Sequence, residues 1–271
     1  MTLDEIARRG LVMLGCGKMG SAMLEGWLAQ GLPPSSVWIL DPNPSDWLKG
    51  LDGLHLNDTL PDDPGIALVA VKPQMMGDAL PRLAALGGGA TLILTVAAGT
   101  PIAAYEAALG AGTRVIRAMP NTPAAIGRGI TAIIGNATAS EADLRGAETL
   151  LSAVGQVVRL DDEAQMDAVT AVSGSGPAYV FHLIETLAAA GAAEGLPPEL
   201  AMRLAMATVA GAGALAEAAD EDPAQLRVNV TSPQGTTAAA LGVLMDEDTG
   251  FPALLRRAVK AAADRSRELR G

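Results

Sequence analysis

The sequence predicts an α/β fold: an N-terminal parallel-sheet domain covered by helices, then an all-α domain. Three observations predict it. Short apolar runs alternate with helical spacing through the first half of the chain. A Gly-x-Gly-x-x-Gly pattern joins the first of those runs to the first helix. Past Glu163 the character changes to alanine-rich helical segments, which divides the chain into 1–163 and 164–271.

The strands come first. Leu11–Leu14, Val37–Leu40, Ile66–Val71, Thr91–Val96 and Val115–Met119 are continuous apolar runs, as a sheet buried on both faces requires. Each ends in a glycine, proline or polar loop, and ligands of such sheets bind outside the carboxyl ends of the strands. Thr131–Ile134 and Val157–Arg159 are two later strands, flanking a helix over Glu141–Ala153. Met1–Gly10 reads as a short polar lead without a signal-peptide pattern. In the second half, Ala178–Glu194, Pro198–Ala219, Ser232–Met245 and Pro252–Leu269 have helical patterning. The Pro198–Ala219 segment is apolar around much of its circumference, so it must be buried, and a second copy of the chain is the expected cover.

Composition narrows the function classes. The 271 residues carry a formal net charge of -11, against nucleic acid as the main partner. The one basic stretch is the last helix, where Arg256, Arg257, Lys260, Arg265, Arg267 and Arg270 read as a solvated face. A single cysteine excludes an internal disulfide framework, and two distant histidines offer no metal-ligand spacing. No apolar run crosses a bilayer length without glycine, proline or charge, so a cytoplasmic protein with no membrane partner is expected.

The chemistry begins at Gly15-Cys16-Gly17-Lys18-Met19-Gly20. The first glycine permits the tight turn, the second lets the backbone approach a pyrophosphate, and the third lets helix pack on sheet. The helix start then offers unpaired N–H groups to the phosphates. Asp41 ends the second strand about twenty positions later, where an acidic residue receives ribose hydroxyls. A carboxylate there repels a 2′-phosphate, and no arginine follows in Pro42-Asn43-Pro44, which favours NADH over NADPH. The competing reading is an Asp that caps the Pro42 turn. Cys16 reads as space-filling. Two further loops, Ser173–Tyr179 and Thr231–Thr237, open helices and offer N–H groups and hydroxyls but no strong base. That suits holding a small carboxylate while a cofactor performs a reduction, and it equally suits a capped helix start with no ligand.

Together these elements resemble the pyrroline-5-carboxylate reductases over nearly the whole chain. The resemblance is carried by the Gly15–Gly20 loop, Ala70-Val71-Lys72-Pro73, Arg117–Pro123, Asp167–Thr170, Ser173–Tyr179 and Ser232–Thr237. It implies a Rossmann domain followed by a helical dimerisation domain, and hydride transfer from NADPH or NADH to C5 of the cyclic imine 1-pyrroline-5-carboxylate, giving L-proline. It implies a homodimer, with larger rings of dimers, a decamer among them. Cofactor contacts would fall on Leu14, Gly15, Cys16, Gly17, Lys18, Met19, Asp41, Asn57, Ala70, Val71, Lys72, Pro73, Val96, Ala97, Ala98 and Asn229. Substrate contacts would fall on Glu163, Ser232, Gly235, Thr236 and Thr237, with Thr237 hydrogen-bonding the imine nitrogen.

What is missing agrees. Related hydroxyacid dehydrogenases carry a lysine where this chain has Val180, and an imine can enter protonated without that group. Two departures stand out: Gln234 replaces the first of two adjacent glycines, and Asp41 replaces a hydroxyl or neutral residue. Reduction of another small cyclic imine is the runner-up. A cofactor-binding regulatory protein without catalysis is the reading from another class.

Overall fold

A computed structural model of the chain describes residues 2–269, so Arg270 of the basic stretch lies outside the described residues. Its contacts divide the chain into a first unit, Met1–Gly174 with Ala263–Gly271, and a second, Ser175–Ala262.

The first unit opens on helix α1, Leu3–Arg9, where the sequence shows only a short polar lead. Its signal is local: Thr2 accepts from the Glu5 amide while the Glu5 carboxylate accepts from Thr2, a reciprocal cap. Only Ile6 is buried, which is why no apolar period announced it. Strand β1 (Leu11–Leu14) leads into α2 (Lys18–Ala29), and β2 (Val37–Leu40) into the single turn α3 (Asp46–Lys49) and the short β3 (His55–Leu56). Next come β4 (Ile66–Val69), α4 (Met76–Ala79), β5 (Leu92–Thr95), α5 (Ile102–Leu109) and β6 (Arg114–Met119). Then β7 (Gly129–Gly135), α6 (Glu141–Leu151), β8 (Gly155–Arg159) and α7 (Met166–Val169) complete the unit up to Gly174.

The sheet order is β3-β2-β1-β4-β5-β6-β7-β8. The first six positions are parallel, but β7 runs antiparallel to β6. The cause is the connection: residues 120–128 hold one tight turn, Thr122–Ile126, too short for the crossover a parallel neighbour needs. Alternation along each strand feeds two cores. Leu11 and Met13 join α2 residues Met23 and Trp27 and α6 residues Leu150 and Leu151 on one face. Val12 and Leu14 join Leu83, Tyr105 and Leu109 on the other. The Trp27 indole N–H is satisfied by the Leu150 carbonyl at 2.8 Å.

The sequence boundary at 163/164 and the contact-defined one at Gly174/Ser175 differ for a reason. Met166, Asp167 and Ala171 are buried, and Ser266 donates to the Asp167 carboxylate at 2.8 Å, which assigns both segments to the first unit.

The second unit is helical: α8 (Gly176–Ala193), α9 (Pro198–Ala218), α10 (Pro223–Asn229), α11 (Thr236–Leu244) and most of α12 (Phe251–Glu268). The Ser232–Met245 helix of the sequence reading starts later, at Thr236, because Ser232–Gly235 form a turn instead. At Gly191 an added Cβ would lie 3.3 Å from Leu196 Cδ1 and 3.5 Å from Ala201 Cβ, so small residues set how closely α8 and α9 approach. Within one chain α9 buries only Ala201 and Ala205. Leu200, Met202, Leu204, Met206 and Leu215 are exposed. By length and composition α9 is the one helix among the described residues that could cross a membrane.

Candidate active site

Strand register places the first unit's loops on one edge. Leu14 pairs with Leu40 and Val69, Val69 with Thr95, and Thr95 with Arg117. The loops after β1, β2, β4 and β5 therefore emerge side by side. The order reverses at β1, whose neighbours β2 and β4 lie on opposite sides, and this switch point is where such sheets bind ligands.

The glycine loop shows a distinct job for each glycine. Gly15 has φ 82°, and a Cβ there would sit 2.8 Å from Val71 Cγ1 and 3.1 Å from the Ala70 carbonyl oxygen. At Gly20 a Cβ would meet the Gly15 carbonyl oxygen at 3.3 Å. At Gly17 it would meet nothing within 4 Å, although Gly17 is the N-cap of α2 and no side chain caps that helix. Uncapped amides facing open space at the start of a twelve-residue helix form a cradle for an anion, and a dinucleotide pyrophosphate fits it. Lys18 and Met19 are the first residues of that helix.

Asp41 is built into the same loop. One carboxylate oxygen accepts from the Cys16 amide at 2.8 Å, the other from the Asn43 amide at 2.8 Å. Both readings of Asp41 thus have a structural counterpart: it caps its own turn and it stands against the glycine loop. Asn57, in the left-handed region at φ 57°, clamps Asp41 in turn. Its side chain accepts from the Asp41 N–H at 3.0 Å and donates to the Asp41 carbonyl at 2.8 Å. The Cys16 thiol is buried, and desolvation pushes its pKa up to about 11 against a counteracting hydrogen bond with Ser21. It fills space, as the sequence suggested.

The remaining loops follow. Ala70 donates to the Leu14 carbonyl, and Lys72-Pro73 begin the turn Pro73–Met75. Val96 donates to the Val69 carbonyl, and the Ala97 amide donates to Thr95 Oγ1 at 3.2 Å. Behind this loop lies a polar cluster in which the sequence singles out Glu163 as a substrate contact and Arg117 as part of a motif, but gives Thr95 and Tyr105 no role. Thr95 Oγ1 and the Tyr105 hydroxyl are 2.5 Å apart and both fully buried. Burial raises the Tyr105 pKa to about 12, opposed by hydrogen bonds with Thr95 and Thr100 and by the charge of Arg117. Arg117, 2% exposed, binds Glu163 Oε1 at 2.6 Å, and the same oxygen accepts from the Ile102 amide at 3.0 Å. The available signal was a charge inside the apolar strand Val115-Ile116-Arg117-Ala118.

The Arg117–Pro123 and Ser173–Tyr179 segments meet at Asn121 and Ser173 in this unit. Asn121 donates to Ser173 Oγ at 3.3 Å and accepts from the Ile130 amide at 3.0 Å. Gly174 closes a π-helical turn, Thr170–Gly174, and a Cβ there would strike Met119 Cε. Turns of this kind concentrate at functional sites.

In the helical unit, Ser232 accepts through its carbonyl from Gly235, and Gly235 is the N-cap of α11 with no side-chain cap. Thr236 and Thr237 form the first turn of that helix, Thr236 exposed and Thr237 half-buried. Gln234 has φ 61°, so the position where glutamine replaces glycine does require the left-handed region. Asn229, the last residue of α10, is exposed, and its side-chain Oδ1 accepts from the Gln225 side-chain amide at 2.7 Å.

Comparison with known proteins matches this layout. Residues 163–269 fit the family model described as pyrroline-5-carboxylate reductase dimerisation. Residues 10–99 fit the model described as NADP oxidoreductase coenzyme F420-dependent. A pyrroline-5-carboxylate reductase of Pseudomonas aeruginosa is 41% identical over 96% of this chain and 96% of its own. The chain belongs to the pyrroline-5-carboxylate reductases. Among solved structures, the pyrroline-5-carboxylate reductase of Coxiella burnetii superposes with TM-score 0.88 at 31% identity, over 97% of this chain and 99% of that one. The Plasmodium falciparum enzyme, determined with NADP bound, superposes with TM-score 0.85 at 27% identity, over 98% and 100%. The resemblance drawn from the motifs and the two-part fold class are both borne out.

Proposed function

We infer that the chain reduces 1-pyrroline-5-carboxylate to L-proline with a nicotinamide dinucleotide, the last step of proline biosynthesis. The observation that carries this reading is the near full-length match to reductases of that name, at 41% identity over 96% of the chain. The bound cofactor would supply a hydride to C5 of the imine carbon–nitrogen double bond. The chain's residues bind and orient. The amides at Gly17 and the start of α2 hold the pyrophosphate, with Leu14–Met19, Ala70–Pro73 and Val96–Ala98 lining its path and Asn229 as a further contact. Asp41 keeps lone pairs beyond those facing Cys16 and Asn43, enough to accept a ribose hydroxyl, while its charge disfavours a 2′-phosphate. Asp41 thus favours NADH, with NADPH as the alternative.

The Thr237 hydroxyl hydrogen-bonds the imine nitrogen, and the uncapped amides after Gly235 hold the substrate carboxylate, near Ser232 and Thr236. Glu163 commits Oε1 to Arg117 and Ile102, leaving Oε2 for substrate. The exposed apolar residues of α9 form the surface of a homodimer, from which rings such as a decamer are built. The protein works in the cytoplasm.

Steady-state oxidation of NADH and of NADPH on adding pyrroline-5-carboxylate tests the reading, and no turnover with either refutes it. In Thr237→Ala, kcat is expected to fall about a hundredfold with cofactor affinity unchanged. Full turnover would remove Thr237 from the assignment. A second reading, another cyclic imine carboxylate, is favoured by Gln234 at φ 61° in the substrate turn, and a panel of ring sizes separates the two.

A further inference from the structure

We propose that Arg117 is a positioning residue for the cofactor loop between β5 and α5, acting through Glu163 and beside a parallel anchor made by Tyr105. The proposal rests on the reading that Val96–Ala98 contact the cofactor. That loop, Val96-Ala97-Ala98-Gly99-Thr100-Pro101, has no long side chain of its own, and Gly99 adopts φ 77°. Its backbone is fixed from behind at both ends. At the start, the Ala97 amide donates to Thr95 Oγ1, which is held by Tyr105. At the finish, the Ile102 amide donates to Glu163 Oε1, which is held by Arg117.

The energetics argue for geometry over stability. Arg117 is 2% exposed and Glu163 28%, so the pair is desolvated chiefly on the arginine side, and that cost offsets much of the attraction. Arg117 sits between buried apolar neighbours in its strand. What an aliphatic residue could not do is orient a carboxylate so that it accepts the first amide of α5. Arg117 therefore sets the exit of the loop, and the Tyr105–Thr95 pair sets its entry.

The test is a fluorescence titration of reduced nicotinamide cofactor without imine, with thermal unfolding recorded for every variant. Arg117→Met should raise the cofactor Kd about tenfold, and Arg117→Lys should recover part of it. Tyr105→Phe should raise Kd by a smaller factor. The double variant Arg117→Met/Glu163→Gln should bind no more weakly than the poorer single variant, since both act through one contact. Ala98→Phe, within the loop itself, should weaken binding outright. If Ala98→Phe binds normally, the loop is not a cofactor contact and the underlying reading fails. If Ala98→Phe is weakened while Arg117→Met stays within twofold of the parent, or if the double variant is additive, the positioning role is overturned. Should Arg117→Met not fold, unchanged Kd in both Arg117→Lys and Tyr105→Phe overturns it equally.

Discussion

Replacing Gly17 with alanine separates a glycine kept for its ligand from one kept for its fold. A methyl at Gly17 meets no atom within 4 Å, and φ there is -73°, which any residue adopts. Losing a glycine cap costs a few tenths of a kcal/mol, and the lower entropy of the unfolded chain returns about as much. Gly17→Ala should therefore unfold within about 2 °C of the parent. On the proposed reading, however, the methyl stands where the pyrophosphate approaches the α2 amides. Each charge-assisted hydrogen bond lost is worth about 1.5–3 kcal/mol, so Kd should rise roughly tenfold to a hundredfold per bond. Gly15→Ala inverts the pattern. It forces an alanine to φ 82° and places its Cβ 2.8 Å from Val71, for a combined loss of about 2–4 kcal/mol and a midpoint lower by roughly 5–15 °C. Cofactor titration and thermal unfolding on both variants decide the matter. A Gly17→Ala protein that is stable and binds cofactor like the parent would show that the phosphates lie elsewhere.

Asp41→Asn should shift the ratio of kcat/KM for NADPH over NADH upward by about tenfold, and an unmoved ratio would place Asp41 away from the adenosine ribose. Raising pH should destabilise the protein through two buried acids, Cys16 (from 9.0 to about 11) and Tyr105 (from 10.0 to about 12). The folded state keeps these protons longer, so the stabilisation is intact below pH 9 and is lost as pH climbs through 9 to 12. It amounts to about 2–3 kcal/mol for each group, and Cys16→Ala should flatten the lower part of the decline in urea unfolding. Gln234→Gly relieves a left-handed glutamine but gains unfolded-state entropy, so stability should change by less than about 1 kcal/mol. A lower KM for the imine without a change in cofactor Kd would locate the effect in the substrate turn.

The sheet was legible because its strands are continuous apolar runs, and the glycine loop because its spacing has a mechanical meaning at each position. Leu11–Leu14 and Gly15–Gly20 needed no tertiary information. Elements governed by local capping or by short connections escaped: α1 buries a single residue, and β7 turns antiparallel because residues 120–128 cannot hold a crossover. The site was legible where backbone does the work and hidden where distant side chains meet. Arg117 and Glu163 are far apart in sequence, and nothing local to either announces the other. Asp41 shows the intermediate case, since its position was readable but its two amide partners were not.

The open N-terminus of α2 has a consequence for the life of the protein outside any reaction. On the proposed reading the cradle at Gly17 is formed by backbone already ordered in the folded chain, so a dinucleotide would bind the folded state and find no such cradle in the unfolded one. At a hundred times its Kd, such a ligand adds about 2.7 kcal/mol to folding. Removing the nucleotide would then enlarge the unfolded fraction that a protease can cut, so added cofactor should slow proteolysis of the purified protein.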